Sequence, residues 1–174
     1  MLKKETWIDL LCIVGLIIFS RLLPHWPNMT ALGAAAILGP RWFKNNPFIL
    51  LAPLLALLIS DLLIGLHETM IFTYSAIFLI SWISGSASKK SVEGVRGTLG
   101  WAFFSSAIFF LITNFGVWLT LEMYPKTPAG LLLSYWSGLP FWCNDFVGTL
   151  TYLGVAQWAR RWWLTEKPLN SISI

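Results

Sequence analysis

"LGWAFFSSAIFFLITNFGVWLTL", residues 99–121, holds no charged side chain, and one amide, Asn114, in the middle of an apolar run. A helix crosses the hydrocarbon core of a bilayer with about 20 mostly apolar residues. This stretch therefore predicts a membrane span, and an amide inside it needs a partner, a water or a ligand. What partners Asn114 depends on the segments around it.

The whole chain has the same character. Of its 174 residues, 56% are hydrophobic and 11% are charged, against about 25% charged in an ordinary soluble domain. Mean hydropathy is +0.68. The reading is an all-helical integral membrane protein, one transmembrane domain over residues 1–174, with no repeat array and no low-complexity tail. The start, "MLKKETWIDLLCIVGLIIFS", is basic and then apolar without a small-x-small cleavage site, which predicts a retained first helix. Cys12 and Cys143 both lie in apolar segments and no CxxC occurs, which argues against a disulfide framework or a zinc site.

Apolar length and breakers predict six segments: about 7–23, ended by Pro24; 31–43, too short to cross in ideal form and so tilted or partly inside the bundle; 47–66; 69–83; 99–121; and 139–162. "LLLSYWSGL", residues 131–139, reads as a separate short interfacial helix with Tyr135 and Trp136 at headgroup level. Lys and Arg concentrate in cytoplasmic loops. Six crossings with both ends inside put Lys3, Lys4, Arg41, Lys44, Lys89, Lys90, Arg96, Arg160, Arg161 and Lys167 on the inner side. Only Arg21 and Lys126 of the 12 basic residues fall outside. Five crossings would lose that bias. The net charge of +4 thus follows from topology, and no nucleic-acid partner is expected.

The polar residues inside these segments share a depth. Asp61 lies about 7–8 Å below the outer end of its span, Asn144 and Asp145 about 7–9 Å and Asn114 about 10–12 Å, with Arg21 near the outer end of the first. Such groups are rare in spans and are functional or paired. Two readings stay open: a polar pocket facing outward, or structural pairing of Arg21 with Asp61 or Asp145 and Asn114 as interhelical glue. Trp118 shares a helical face with Asn114, and Trp142 lies just outward of Asn144 and Asp145, which suits aromatic walls for a small organic ligand. The remaining tryptophans fit an interfacial belt. The row Ala31, Ala35, Gly39 permits close helix approach, within the bundle or to a partner.

No Walker loop, HExxH, GxSxG or dinucleotide glycine run occurs, and no histidine accompanies Cys143. An enzyme is not expected, and neither a cofactor nor a metal is implied. A thiol or carboxylate enzyme using Cys143 or Asp145 is the minority reading.

The order of an outer proline-containing loop, a short Ala/Gly-rich helix, a basic turn and a third helix resembles the substrate-binding S-components of energy-coupling factor (ECF) vitamin transporters. It is carried by "SRLLPHWPNMTALGAAAILGPRWF" (20–43) and "LLISDLLIG" (57–65), within residues 16–66. With "TNFGVW" (113–118), the chain is also similar to a group of uncharacterised bacterial six-span membrane proteins distantly related to S-components. The resemblance implies a bacterial inner-membrane subunit that binds a vitamin or vitamin-like molecule near the outer face. Its ligand-binding residues would be Asn114, Asp61, Asn144, Asp145, Arg21, Trp118 and Trp142. Its partners would be the ligand, the lipid bilayer and an ECF transmembrane coupling subunit with its ATPases. S-components carry an Ala-xxx-Ala row on the first helix for that docking; residues 7–23 have none. The alternatives are a chain that works alone or an accessory subunit without a ligand.

Overall fold

The computed structural model describes residues 4–43, 50–87 and 89–165. Six α-helices follow one another: α1 (Lys4–Leu22), α2 (Leu32–Trp42), α3 (Ala52–Ile64), α4 (Met70–Ser86), α5 (Gly94–Thr120) and α6 (Pro128–Thr165), with a 3-10 turn at Lys89–Val92 before α5. No strand occurs among the described residues. The expected start of the third segment at Pro47, and Lys3, Lys44 and Lys167 of the expected inner set, lie outside the described residues, as do the side chains of Lys4, Trp7, Cys12, Lys89, Lys90 and Trp163.

Two boundaries correct the expectation. Residues 131–139 are not a separate interfacial helix. They are the front of α6, which runs unbroken for 38 residues, about 57 Å at 1.5 Å per residue. Pro140 sits inside it. A proline there removes one backbone bond, to the carbonyl of Trp136, but the helix continues through it. Asp145 is consequently about 25 Å along α6 from its start, not 7–9 Å. The second correction concerns crossing. Among the described residues α5 alone is long and apolar enough to cross a membrane; Ile13–Leu22, α3 and α4 are apolar but shorter.

α2 has 11 residues, and nine of them are buried: Leu32, Gly33, Ala34 and Ala36 through Arg41. It is the centre post of the fold, packed on α4 and α6, while α1 lies on α3 and α5 on both α4 and α6. Small residues allow this closeness. A Cβ on Gly33 would collide with the Thr149 side chain, one on Gly116 with the Phe72 ring, and one on Gly138 with the Asn114 amide. Of the row Ala31, Ala35, Gly39, Gly39 and Ala31 are buried and all three line a narrow apolar groove against α1 and Tyr152 of α6.

The distribution of polarity is inverted. Ser20, Thr30, Arg41, Ser60, Asp61, Ser81, Ser84, Ser105, Ser106, Ser134, Asp145 and Thr149 are buried. Leu55, Leu58, Leu62, Leu63, Phe78, Trp82, Phe103 and Leu111 face out. Many hydroxyls close onto their own helix: Ser60 onto Ala56, Thr113 onto Phe109, Thr120 onto Gly116 and Thr151 onto Val147, each at 2.8 Å. Each of these hydroxyls is satisfied by a carbonyl one turn back on its own helix.

Gly138→Ala is expected to destabilise the fold by about 1–3 kcal/mol through overpacking against Asn114. Gly100→Ala, where nothing lies within 4 Å of the added carbon, is expected to be neutral or stabilising by up to about 1 kcal/mol. Unfolding of the detergent-solubilised variants by denaturant checks both.

Candidate functional site

The end of α1 and the loop after it form one wall of the site. Ser20 Oγ donates to the Ile17 carbonyl at 2.8 Å and accepts from the Ala31 backbone N–H at 3.1 Å, pinning the far end of the loop to α1. Within the loop, Met29 N donates to Trp26 O and Thr30 N to Asn28 O. The turn needs a left-handed residue, and Asn28 takes φ 67°. Asparagine is among the few residues besides glycine that adopt this conformation readily. Thr30 Oγ1 accepts from the Leu32 N–H at 3.4 Å as α2 begins.

Behind that wall, Arg21 forms an ion pair with Asp61 of α3. Asp61 is 1% exposed and also accepts a hydrogen bond from Tyr74 Oη of α4 at 3.0 Å. Three helices thus meet at one carboxylate. Arg21 Nε is buried without a partner.

Arg21, His25, Asn28, Thr30, Leu32, Ile64, Phe109 and Asp145 enclose a cavity of about 270 Å³. Its chemistry is mixed. Arg21 brings a cation whose charge Asp61 already balances. His25 Nδ1 lies 2.5 Å from the Leu23 carbonyl, so that nitrogen donates and Nε2 is the free one. Asp145 is 8% exposed and takes part in no ion pair among the described residues. Its polar neighbour is the Ser106 hydroxyl, buried on α5. A buried carboxyl without a counter-charge is costly unless something supplies further donors.

The residues singled out from sequence divide into two groups. Arg21, Asp61 and Asp145 come together, with Asp61 bonded behind the wall and the other two on the cavity itself. Asn114, Asn144, Trp118 and Trp142 do not line it. Asn114 Nδ2 donates to the Phe110 carbonyl one turn back at 2.9 Å, and the Asn114 carbonyl accepts from Ser134 Oγ at 2.9 Å. The side-chain amide is thus satisfied within α5, and the backbone at the same residue ties α5 to α6. Trp118 Nε1 donates to the Pro125 carbonyl at 2.9 Å in the turn between those helices. Trp142 packs edge-on to Phe103 at 5.7 Å and against Phe110 at 6.0 Å. Asn144 is half-buried on α6.

His25, Asn28, Thr30 and Tyr74 were not anticipated. The first three sit in "PHWPNMT", which reads as a turn by composition; only the Ser20 bonds fold it inward. The inner end also departs from expectation. Arg41 is not a solvated loop cation. It is 2% exposed, donates to Ser84 Oγ at 2.8 Å and Ser91 Oγ at 3.0 Å, and lies 3.8 Å from the centre of the Trp101 ring. That end of the bundle therefore holds a buried charge. No group of three His, Cys, Asp or Glu suited to a metal occurs among the described residues.

The sequence profile of a family of unknown function, DUF6580, matches residues 2–166. The chain belongs to DUF6580. The match takes in all six described helices of this DUF6580 member. No curated protein and no solved structure matches it.

Asp61→Asn is expected to cost roughly 3–5 kcal/mol, because it leaves the Arg21 guanidinium buried without its counter-charge. Tyr74→Phe, which removes one donor to the same carboxylate, should cost about 1.5–3 kcal/mol. Denaturant midpoints of the solubilised variants read both, and equal, negligible effects would remove the ion pair from its organising role.

Proposed function

We propose that this DUF6580 protein is a membrane-embedded binding subunit for a small molecule, captured in the cavity between the α1–α2 loop and α6. The observation that carries the reading is Asp145: a buried carboxyl without a counter-charge, on a cavity that also presents the His25 imidazole and the Asn28 amide. A ligand bearing an amine or another strong hydrogen-bond donor complements it, with Leu32, Ile64 and Phe109 as the apolar walls.

Embedding in a bilayer is supported by the inverted polarity. Leucine and aromatic side chains cover the outward faces of α3 and α5 while hydroxyls and charges turn inward, an arrangement that lipid tolerates and water does not. Under this reading six helices form a bundle with both ends on the cytoplasmic side, in a bacterial inner membrane. α2 reaches only part-way and is shielded by its neighbours. Irregular backbone at membrane depth is allowed where protein surrounds it. The likeness to S-components extends the proposal to vitamin uptake with an ECF coupling subunit and its ATPases supplying the energy.

A second reading has its own support. The Asn114 side-chain amide is satisfied within α5 while its backbone ties α5 to α6, and the Arg21–Asp61–Tyr74 cluster is complete without a ligand. Both suit an accessory subunit whose polar groups only lock helices.

Native mass spectrometry of the gently solubilised protein separates the two. A reproducible small-molecule adduct, lost in Asp145→Asn and retained in Asn114→Ala, is the expected result. No adduct in the native chain, or an adduct that persists unchanged in Asp145→Asn, would reject the cavity as a binding site.

A further inference from the structure

The opposite end of the bundle carries a second cavity, of about 350 Å³. It is lined by Arg41 and Trp42 of α2, Val92 and Glu93 before α5, and Gln157, Arg160 and Arg161 of α6. Three guanidiniums and one carboxylate face this space. None of the four takes part in an ion pair among the described residues. A guanidinium does not shed its proton in a protein, so the cavity holds two uncompensated positive charges.

Two of the three arginines are held in place. Arg41 is fixed by Ser84, Ser91 and the Trp101 ring, and two of its three nitrogens are used; Nη2 is buried and has no partner. Arg160 lies 4.9 Å from the centre of the Trp42 ring, which orients its guanidinium by cation–π attraction. Gln157 Nε2 is committed to Thr98 Oγ1 at 3.0 Å. That fixes the amide, which also lines the cavity.

We propose that this cavity is a binding site for a phosphate-bearing anion. Arginine forks match phosphate oxygens two at a time. Three of them around one space, two held in place and with excess positive charge, are more favourable with an anion present than empty. Anionic phospholipid headgroups and free phosphate compounds share this chemistry, and basic recesses at the cytoplasmic ends of membrane helices take headgroups readily.

The test uses the full chain in nanodiscs of phosphatidylcholine. One arm titrates inorganic phosphate against sodium chloride at equal ionic strength. The other replaces part of the lipid with phosphatidylglycerol. Thermal unfolding is followed in the native chain and in the double variant Arg160→Gln/Arg161→Gln, whose side chains are exposed and whose loss should leave folding intact. Arg41→Gln is run beside them. Stabilisation by phosphatidylglycerol alone identifies a headgroup site; stabilisation by phosphate identifies a soluble ligand. In either case the double variant is expected to weaken the effect about tenfold or more in the concentration required. No stabilisation in either arm, or a full response in the double variant, would overturn the proposal.

Discussion

The Arg21–Asp61 ion pair, with Tyr74 as its third member, is the constraint on which the rest of the architecture depends. Asp61 is 1% exposed, and a carboxylate that deep can keep its charge only if a cation and a donor reach it. Arg21 comes from the last turn of α1 and Tyr74 from the second turn of α4. Meeting at one side chain, they fix the heights of α1, α3 and α4 relative to each other. Ser20, next to Arg21, then ties down the loop that follows. The cavity is a consequence: the same arginine that closes the ion pair presents its other side to His25, Asn28 and Asp145.

Close packing around α2 is the second constraint. A helix of 11 residues surrounded on nearly all sides must be slim, and its sequence, "LGAAAILGPRW", is. Gly33 lets Thr149 of α6 come close, and Pro40 meets Gly85 of α4. Ser84 of α4 ties the two helices together, donating to Ile37 O at 2.5 Å while it accepts from Arg41 Nε. The two ends of the bundle are thus organised alike: an arginine, half-buried at one end and buried at the other, held by another helix beside a cavity.

Much of this was legible in the sequence. Apolar length and breakers located six helices, to within three residues at both ends for α1, α2 and α4, while α5 starts five residues earlier than expected. The pairing of Arg21 with Asp61 was one of two stated options. Charge pairs across 40 positions can be guessed because a charge inside an apolar helix has so few possible partners. What was not legible followed from local competition. Pro140 and "SYWSG" look like a break, yet a proline costs one bond and the flanking residues pack well enough to carry the helix through. Asn114 looks like a ligand group, yet its own helix carbonyl lies within reach, and Gly138 on the facing helix leaves room for the amide. Arg41 looks like a loop cation, because nothing in one dimension reveals that Ser84, Ser91 and Trp101 converge on it.

The central claim is that this inverted bundle spans a bilayer with the Arg21–Asp145 cavity toward the outside and the Arg41–Arg160 cavity toward the inside. Labelling of single cysteines tests it most directly. On a background with Cys12→Ser and Cys143→Ser, Trp26→Cys and Arg161→Cys are each treated with a membrane-impermeant maleimide on intact cells and again after lysis. Both positions are exposed on the protein surface. The account predicts that position 26 labels in intact cells and position 161 only after lysis. Labelling of both from the same side, or recovery of the labelled chain in the soluble fraction, would contradict it.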